Sequence, residues 1–214
     1  MIHENKRLLL SFYSRGDVLI IARELLGKRI VTDINGIITS GVITESEAYN
    51  GVNDKASHAF GDRRTKRTET MYRQGGIAYI YLCYGIHSLF NVVTNVAGTP
   101  HAVLIRAIMP EFGKEAMADR IGRPITDKEG TGPGKVTKLL ALKFTDDKAD
   151  LINGNKVWIE NTKIEIPDEI IKVTKRIGVD YAGDDALLPY RFLIEPEKYG
   201  LLRGLIEDCF QSKT

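Results

Sequence analysis

Apolar and polar positions alternate through Ile38, Val42 and Ile43 in the stretch Ile37 to Tyr49, IITSGVITESEAY, and this pattern predicts one strand. Side chains two apart on a strand share a face, so Glu45, Glu47 and Tyr49 line up: two carboxylates leading to an aromatic ring. Upstream, Asp17 can cap a helix from Val18 to Leu26 that Gly27 stops, and a strand follows from Arg29 to Ile34. Asn35-Gly36 folds that strand back onto the long one, because both residues tolerate positive φ. Downstream, Gly75-Gly76 opens a tyrosine-rich strand from Ile77 to Tyr84; Gly85 turns it, and Leu89 to Thr94 returns as its partner. Ala102 to Ile108 is an apolar strand carrying one charge, Arg106. Pro110 starts a helix through about Ile121, and Pro133 starts another that ends near Leu142. Strands follow at Lys156 to Glu160, Lys163 to Ile166 and Tyr190 to Ile194. With no internal repeat, low-complexity tract or linker, these elements make one compact α+β domain over residues 1–214.

Composition changes this picture in a few places. A hydrophobic content of 43% argues against disorder. No apolar run is long enough to span a bilayer, and the start, MIHENKRLLL, lacks the apolar core of a secretory signal. Cys83 and Cys209 do not make a disulfide framework, so a reducing compartment is the natural reading. No CxxC or HExxH spacing supports a zinc site. A net charge of +2 does not by itself argue for a nucleic-acid partner; the charge must be clustered to matter. One cluster exists: Asp62 to Arg73 carries Arg63, Arg64, Lys66, Arg67 and Arg73 against Asp62 and Glu69. A solvated surface and a phosphate-holding loop both fit it.

A carboxylate beside stacking surfaces suits cutting a bond in something flat. Glu45 and Glu47 could equally be solvated on an exposed strand face. Tyr79 reads as sheet packing, whereas Tyr84, before Gly85 at the hairpin tip, should be exposed, and exposed aromatics at tips are contact residues. His58, alone in the polar loop from Asn50 to Thr70, reads as a surface or capping residue. Arg106 is more telling, since a buried charge needs a partner and the nearby carboxylates are candidates. Gly130 to Lys135, GTGPGK, is not a P-loop, because Val136 stands where Ser or Thr is required. It reads as a helix start, either a plain cap or a place for a phosphate.

Taken together, ITESEAY, His58 nine residues beyond Tyr49, YIYLCYG, Asn91 and VLIRA resemble the alkyladenine (3-methyladenine) DNA glycosylase family in order and spacing. GPGKVTKLLAL and RIGVDYAG resemble its later segments, so the likeness runs from about Ser14 to Ile194. The resemblance implies excision of damaged purines from duplex DNA by a single mixed α/β domain. That domain would have a central, largely antiparallel sheet and a protruding β-hairpin that enters the minor groove. By the resemblance, Glu47 matches the general base, and Arg106 and the backbone of Ile177 match groups that help hold the catalytic water. Tyr49, His58 and Tyr81 match the walls around the flipped base, and Asn91 matches a pocket residue that screens purines. Tyr84 matches the residue filling the gap in the duplex, flanked by Ile86, where some members carry methionine. Arg63, Arg64, Lys66, Arg67 and Lys135 are the expected backbone contacts. His87 and Ser88 depart from the aromatic residues of other members. Lacking the long N-terminal extension of animal members, the chain is expected to be a bacterial, cytoplasmic enzyme, monomeric by default, that needs no metal or organic cofactor; with no lysine in the motif, a water nucleophile and no Schiff base are expected.

Overall fold

The structure, a computed structural model, describes residues 6–211, with side chains to residue 207. The first five residues of the N-terminal stretch and the side chain of Cys209 therefore lie outside the described residues. The protein is built on β2 (Ile37–Tyr49), the stretch that alternation marks as one strand. On one side β2 pairs antiparallel with β5 (His101–Phe112), from Ser40 opposite Phe112 to Tyr49 opposite Ala102. On the other side its partner changes partway along. β1 (Arg29–Ile34) pairs with residues 37–42, and β8 (Arg191–Ile194) pairs with residues 45–47. Beyond β5 come β4 (His87–Thr94) and β3 (Ala78–Cys83). Beyond β1 lies β6 (Val157–Glu160), and β8 carries β7 (Ile171–Thr174). All eight strands join one sheet, and every pairing is antiparallel. This is the α+β domain with a central antiparallel sheet that the resemblance implied.

β2 is buried from Thr39 through Ala48, on both faces. The reading of Glu45 and Glu47 as solvated is thereby excluded. The polar residues on the opposite face are not solvated either; helices cover them and satisfy their hydroxyls. Ser46 donates to the carbonyl of Ala22 at 2.7 Å, within α2 (Val18–Glu24). Thr44 lies 3.0 Å from the hydroxyl of Tyr199, the first residue of α5 (Tyr199–Gln211). Asp17 caps α2 as expected, accepting from the backbone N–H groups of Leu19 and Ile20 at 2.8 and 3.2 Å. A short α1 (Leu10–Tyr13) precedes it.

Three expectations are corrected. Pro110 does not start a helix: it belongs to β5, and α3 (Lys114–Ile121) begins only after Gly113. Pro110 faces Gly41 next to a register shift in β2, where the ladder does not need the missing N–H. The expected strand Lys163 to Ile166 does not form; Lys163 has φ 61, which breaks an extended run, although Ile164 is buried in the core. The helix after Gly132, α4 (Pro133–Leu139), ends three residues short of Leu142. Residues 130–132 run alongside β5, Gly132 donating to the carbonyl of Arg106 at 2.9 Å and Ile108 to that of Gly130 at 3.1 Å, so α4 starts beside the charged residue of β5. No helix among the described residues is long and apolar enough to cross a membrane.

Candidate active site

Three strands and a loop bring the charged groups together. Glu45 and Glu47 come from β2, Arg106 from β5 and Arg191 from β8, and Ile177 lies in the loop before β8. Arg106 donates through Nε to Glu45 at 2.9 Å, and its Nη1 reaches Glu47 Oε2 at 3.4 Å. The partner required by a charge in an apolar strand is thus a pair of carboxylates. Arg191 Nε donates to the same Glu45 oxygen at 2.6 Å. Glu45 anchors both arginines and leaves Glu47 with part of Arg106.

Glu47 has no exposed surface. Its Oε1 accepts the backbone N–H of Ile177 at 2.8 Å, and its Oε2 accepts the hydroxyl of Tyr49 at 2.9 Å. Burial nevertheless dominates and raises its proton affinity above the ordinary glutamate range, while Arg106, the Ile177 N–H and Tyr49 pull the other way. A carboxylate held in this way is a stronger base than one in water. Burial, and then the Glu47 charge, hold the Tyr49 phenol well above its usual range, so it stays protonated and donating.

A cavity of about 380 Å³ opens in front of this group, and Tyr49, His58, Tyr81, Asn91, Arg106 and Ile177 all line it. The structure therefore brings together every residue expected at the base pocket. His58 and Tyr81 meet edge to face, with ring centroids 4.7 Å apart. His58 Nδ1 lies 2.9 Å from the Tyr79 hydroxyl, and Arg67 approaches Nε2 at 3.2 Å. Arginine can only donate, so Nε2 accepts and the proton sits on Nδ1. Burial, then the charges of Arg67 and Arg63, push His58 down to about 4, so it is neutral at pH 7. Asn91 is buried, and its Nδ2 donates to the carbonyls of Tyr79 and Leu89 at 3.1 and 3.3 Å. Its amide is thereby fixed in orientation at the cavity wall.

At the hairpin between β3 and β4, Tyr84 has φ 51 and Gly85 φ 73, and Ile86 donates back to the carbonyl of Cys83 at 3.1 Å. Tyr84 is 92% exposed and Ile86 72%, so two large apolar side chains stand at the tip. The basic loop is exposed, but its members do different things. Arg64 lies over the Tyr72 ring at 4.0 Å. Arg67 lies over Tyr81 at 4.5 Å and, while still exposed, also lines the cavity. Arg63, Lys66 and Lys135 face solvent. Pro133, at the start of α4, contributes to the cavity wall.

Several residues that matter here were not singled out in advance. Arg176 is buried and makes a bidentate pair with buried Asp54, at 2.5 and 2.8 Å, while its guanidinium lies 5.0 Å from the Tyr49 ring centre. It holds the loop carrying Ile177 against β2, also donating to the carbonyl of Ala48 at 2.9 Å. Arg191 and Tyr181, the latter on the cavity wall, complete the set. In the sequence Arg176 follows Lys175 in VTKRIGVD, where only its place at the head of RIGVDYAG sets it apart, and its partner Asp54 lies far away in the chain.

The chain has close relatives among known proteins. A relative in Chlamydia felis is 47% identical over 190 residues, covering 88% of this chain and 96% of its own. One in Chlamydia pneumoniae is 45% identical over 193 residues, covering 88% and 95%, and one in Clostridium acetobutylicum 42% over 200 residues, covering 90% and 96%. Each carries the name "Putative 3-methyladenine DNA glycosylase". The class is that of the DNA N-glycosylases, hydrolases of the bond between base and sugar. Within it, the chain belongs to the methylpurine-DNA glycosylase family, whose profile matches residues 11–198.

Proposed function

We propose that the protein removes 3-methyladenine and related alkylated or deaminated purines, hypoxanthine among them, from duplex DNA. The observation that carries this reading is Glu47: a sealed carboxylate with raised proton affinity, directly behind an aromatic cavity large enough for one base. A base within a duplex is out of reach, so the nucleotide must rotate out, at a cost of about a few kcal/mol that is smallest for a damaged pair. Tyr84 offsets that cost by filling the gap, as apolar wedges do in minor-groove binders. The base then lies against Tyr49, His58 and Tyr81, where stacking contributes roughly 1–3 kcal/mol. A neutral His58 adds no repulsion to a purine that methylation has made cationic, and tyrosine faces favour it.

Cleavage builds positive charge on the sugar, which the Glu47 carboxylate can stabilise while Glu45 takes up Arg191 and part of Arg106. Glu47 takes the proton of a water admitted between Arg106 and the backbone of Ile177, and that water attacks the sugar carbon as the base departs. The cavity lining includes no lysine, which favours water over an amine nucleophile and hydrolysis without strand cleavage. Arg63, Arg64, Lys66 and Lys135 hold phosphates and set register.

Replacing Glu47 by Gln keeps the shape and removes the base. Single-turnover excision of 3-methyladenine should fall by about 100-fold or more, with binding to the lesion duplex retained. A variant that excises at the wild-type rate would remove Glu47 from the mechanism.

A further inference from the structure

Two cavities flank the hairpin of β3 and β4. At the tip the aromatic one meets it at Leu82, Cys83 and Tyr84, on the β3 side, and deeper in it also reaches Leu89 and Asn91 of β4. The other, of about 360 Å³, meets it at Ile86, His87 and Ser88, on the β4 side. Its remaining wall comes from α3, α4 and the turn after α4, and includes Arg120, Lys138 and Lys143. No aspartate or glutamate lines it.

Arg120 is unusual within this groove. Its Nη1 donates to Thr39 Oγ1 at 3.1 Å and to the carbonyl of Leu139, both uncharged acceptors. Burial pushes its guanidinium below the usual range, and no neighbouring carboxylate acts against that. Among the described residues, neither Arg120, Lys138 nor Lys143 forms an ion pair with a carboxylate. Arg120 is thus a partly buried cation without a counter-charge, which is costly, and the exposed Lys138 and Lys143 at the rim add positive potential. An anion entering the groove would give Arg120 the counter-charge it lacks and meet both lysines at the rim.

The position of the groove indicates which anion. A hairpin tip seated in a minor groove roughly 6 Å wide has one sugar-phosphate backbone on each flank. The strand that delivers its base to the aromatic cavity runs on the β3 flank. The complementary strand therefore runs on the β4 flank, past Ile86 and His87. We infer that the groove formed by Ser88, Arg120, Lys138 and Lys143 is a second backbone site, which holds a phosphate of the strand opposite the flipped nucleotide. This rests on the minor-groove reading of Tyr84 given above.

The test uses the full chain with Lys138→Gln and Lys143→Gln together, since neither residue contributes to the base pocket. Binding is measured against salt on a duplex carrying an abasic analogue, with single neutral methylphosphonates walked along the complementary strand, and on the lesion strand alone. The slope of log K against log salt should fall by about 0.9 for each phosphate lost, on the duplex and not on the single strand. Wild type should weaken at one complementary-strand methylphosphonate to which the double variant is indifferent. Arg120→Gln, where it folds, should behave like the double variant. Equal responses of both proteins at every complementary-strand position would overturn the site, as would an equal loss on the single strand. Stabilisation of wild type, but not the variant, by inorganic phosphate with no effect of any methylphosphonate would assign the groove to a free anion and also overturn it. Wild-type protein that fails to bind the duplex would instead defeat the minor-groove reading on which this site depends.

Discussion

Tyr49→Phe isolates one hydrogen bond at the centre of the site. The hydroxyl of Tyr49 donates to Glu47 Oε2 at 2.9 Å, and the ring keeps its place under Arg176 and against Val179 and Ala182 without it. Stacking on the base is therefore preserved. A hydrogen bond to a charged group contributes about 1.5–3 kcal/mol, and the ionised form of Glu47 is the one that Tyr49 favours. Losing it disfavours the carboxylate relative to the acid. Each 1.36 kcal/mol is about tenfold, so the ionised fraction at a fixed acid pH should fall by roughly 10- to 100-fold. The remaining donors, the Ile177 N–H and Arg106, place the expectation nearer the lower figure. The sign follows from the required state: Glu47 must be ionised to take a proton, so activity rises with pH, and the variant's rise is displaced to higher pH. Above that rise the two proteins should agree within a few-fold. Single-turnover excision across pH 4 to 9 on a cationic lesion reads this directly, since the lesion needs no protonation of its own. An acid limb that stays in place or moves to lower pH would refute the argument that the phenol stabilises the carboxylate.

Tyr84→Ala should weaken the rotation of the nucleotide more than the chemistry, so a fluorescent adenine analogue should brighten less on binding the variant; an unchanged signal would remove Tyr84 from that role. Asn91→Ser should raise excision of guanine relative to hypoxanthine, because the two differ by an exocyclic amino group that stacking cannot sense and an edge contact can; an unmoved rate ratio in matched duplexes would make Asn91 structural. Asp54→Ala strands the buried guanidinium of Arg176 and should cost about 3–5 kcal/mol. For a domain of this size that lowers the melting temperature by on the order of 10 °C, readable by calorimetry.

What could be read from the sequence was local. Asn35-Gly36 specifies a turn from two residues, Gly85 marks another, and Asp17 specifies a helix start, because the chemistry is complete within a few positions. The shared face of Glu45, Glu47 and Tyr49 follows from strand geometry, and Arg106 announces a partner by its setting. The burial of Glu47 was not legible, because its cover comes from β8 and the loop at Arg176 to Val179, more than a hundred residues away in the chain. Arg67 reads as one more surface charge until the fold lays it on Tyr81. Pro110 misled because its local preference for a helix start is overridden by pairing with β2 at an irregularity that no pattern of apolar residues reveals. The groove on the β4 flank was equally hidden, as it needs α3, α4 and the hairpin in place together.

The turn at the hairpin tip also bears on how this protein would respond to selection. Tyr84 occupies a left-handed backbone conformation, φ 51, that costs an ordinary residue about 1–2 kcal/mol and glycine almost nothing. A library sorted for heat tolerance alone should therefore exchange Tyr84 for glycine or asparagine, and the survivors would fold better with a blunt tip. Sorting the same library for repair in cells exposed to a methylating agent should restore the aromatic ring. With Tyr84 in the proposed gap-filling role, thermal robustness and genome maintenance pull in opposite directions at this codon.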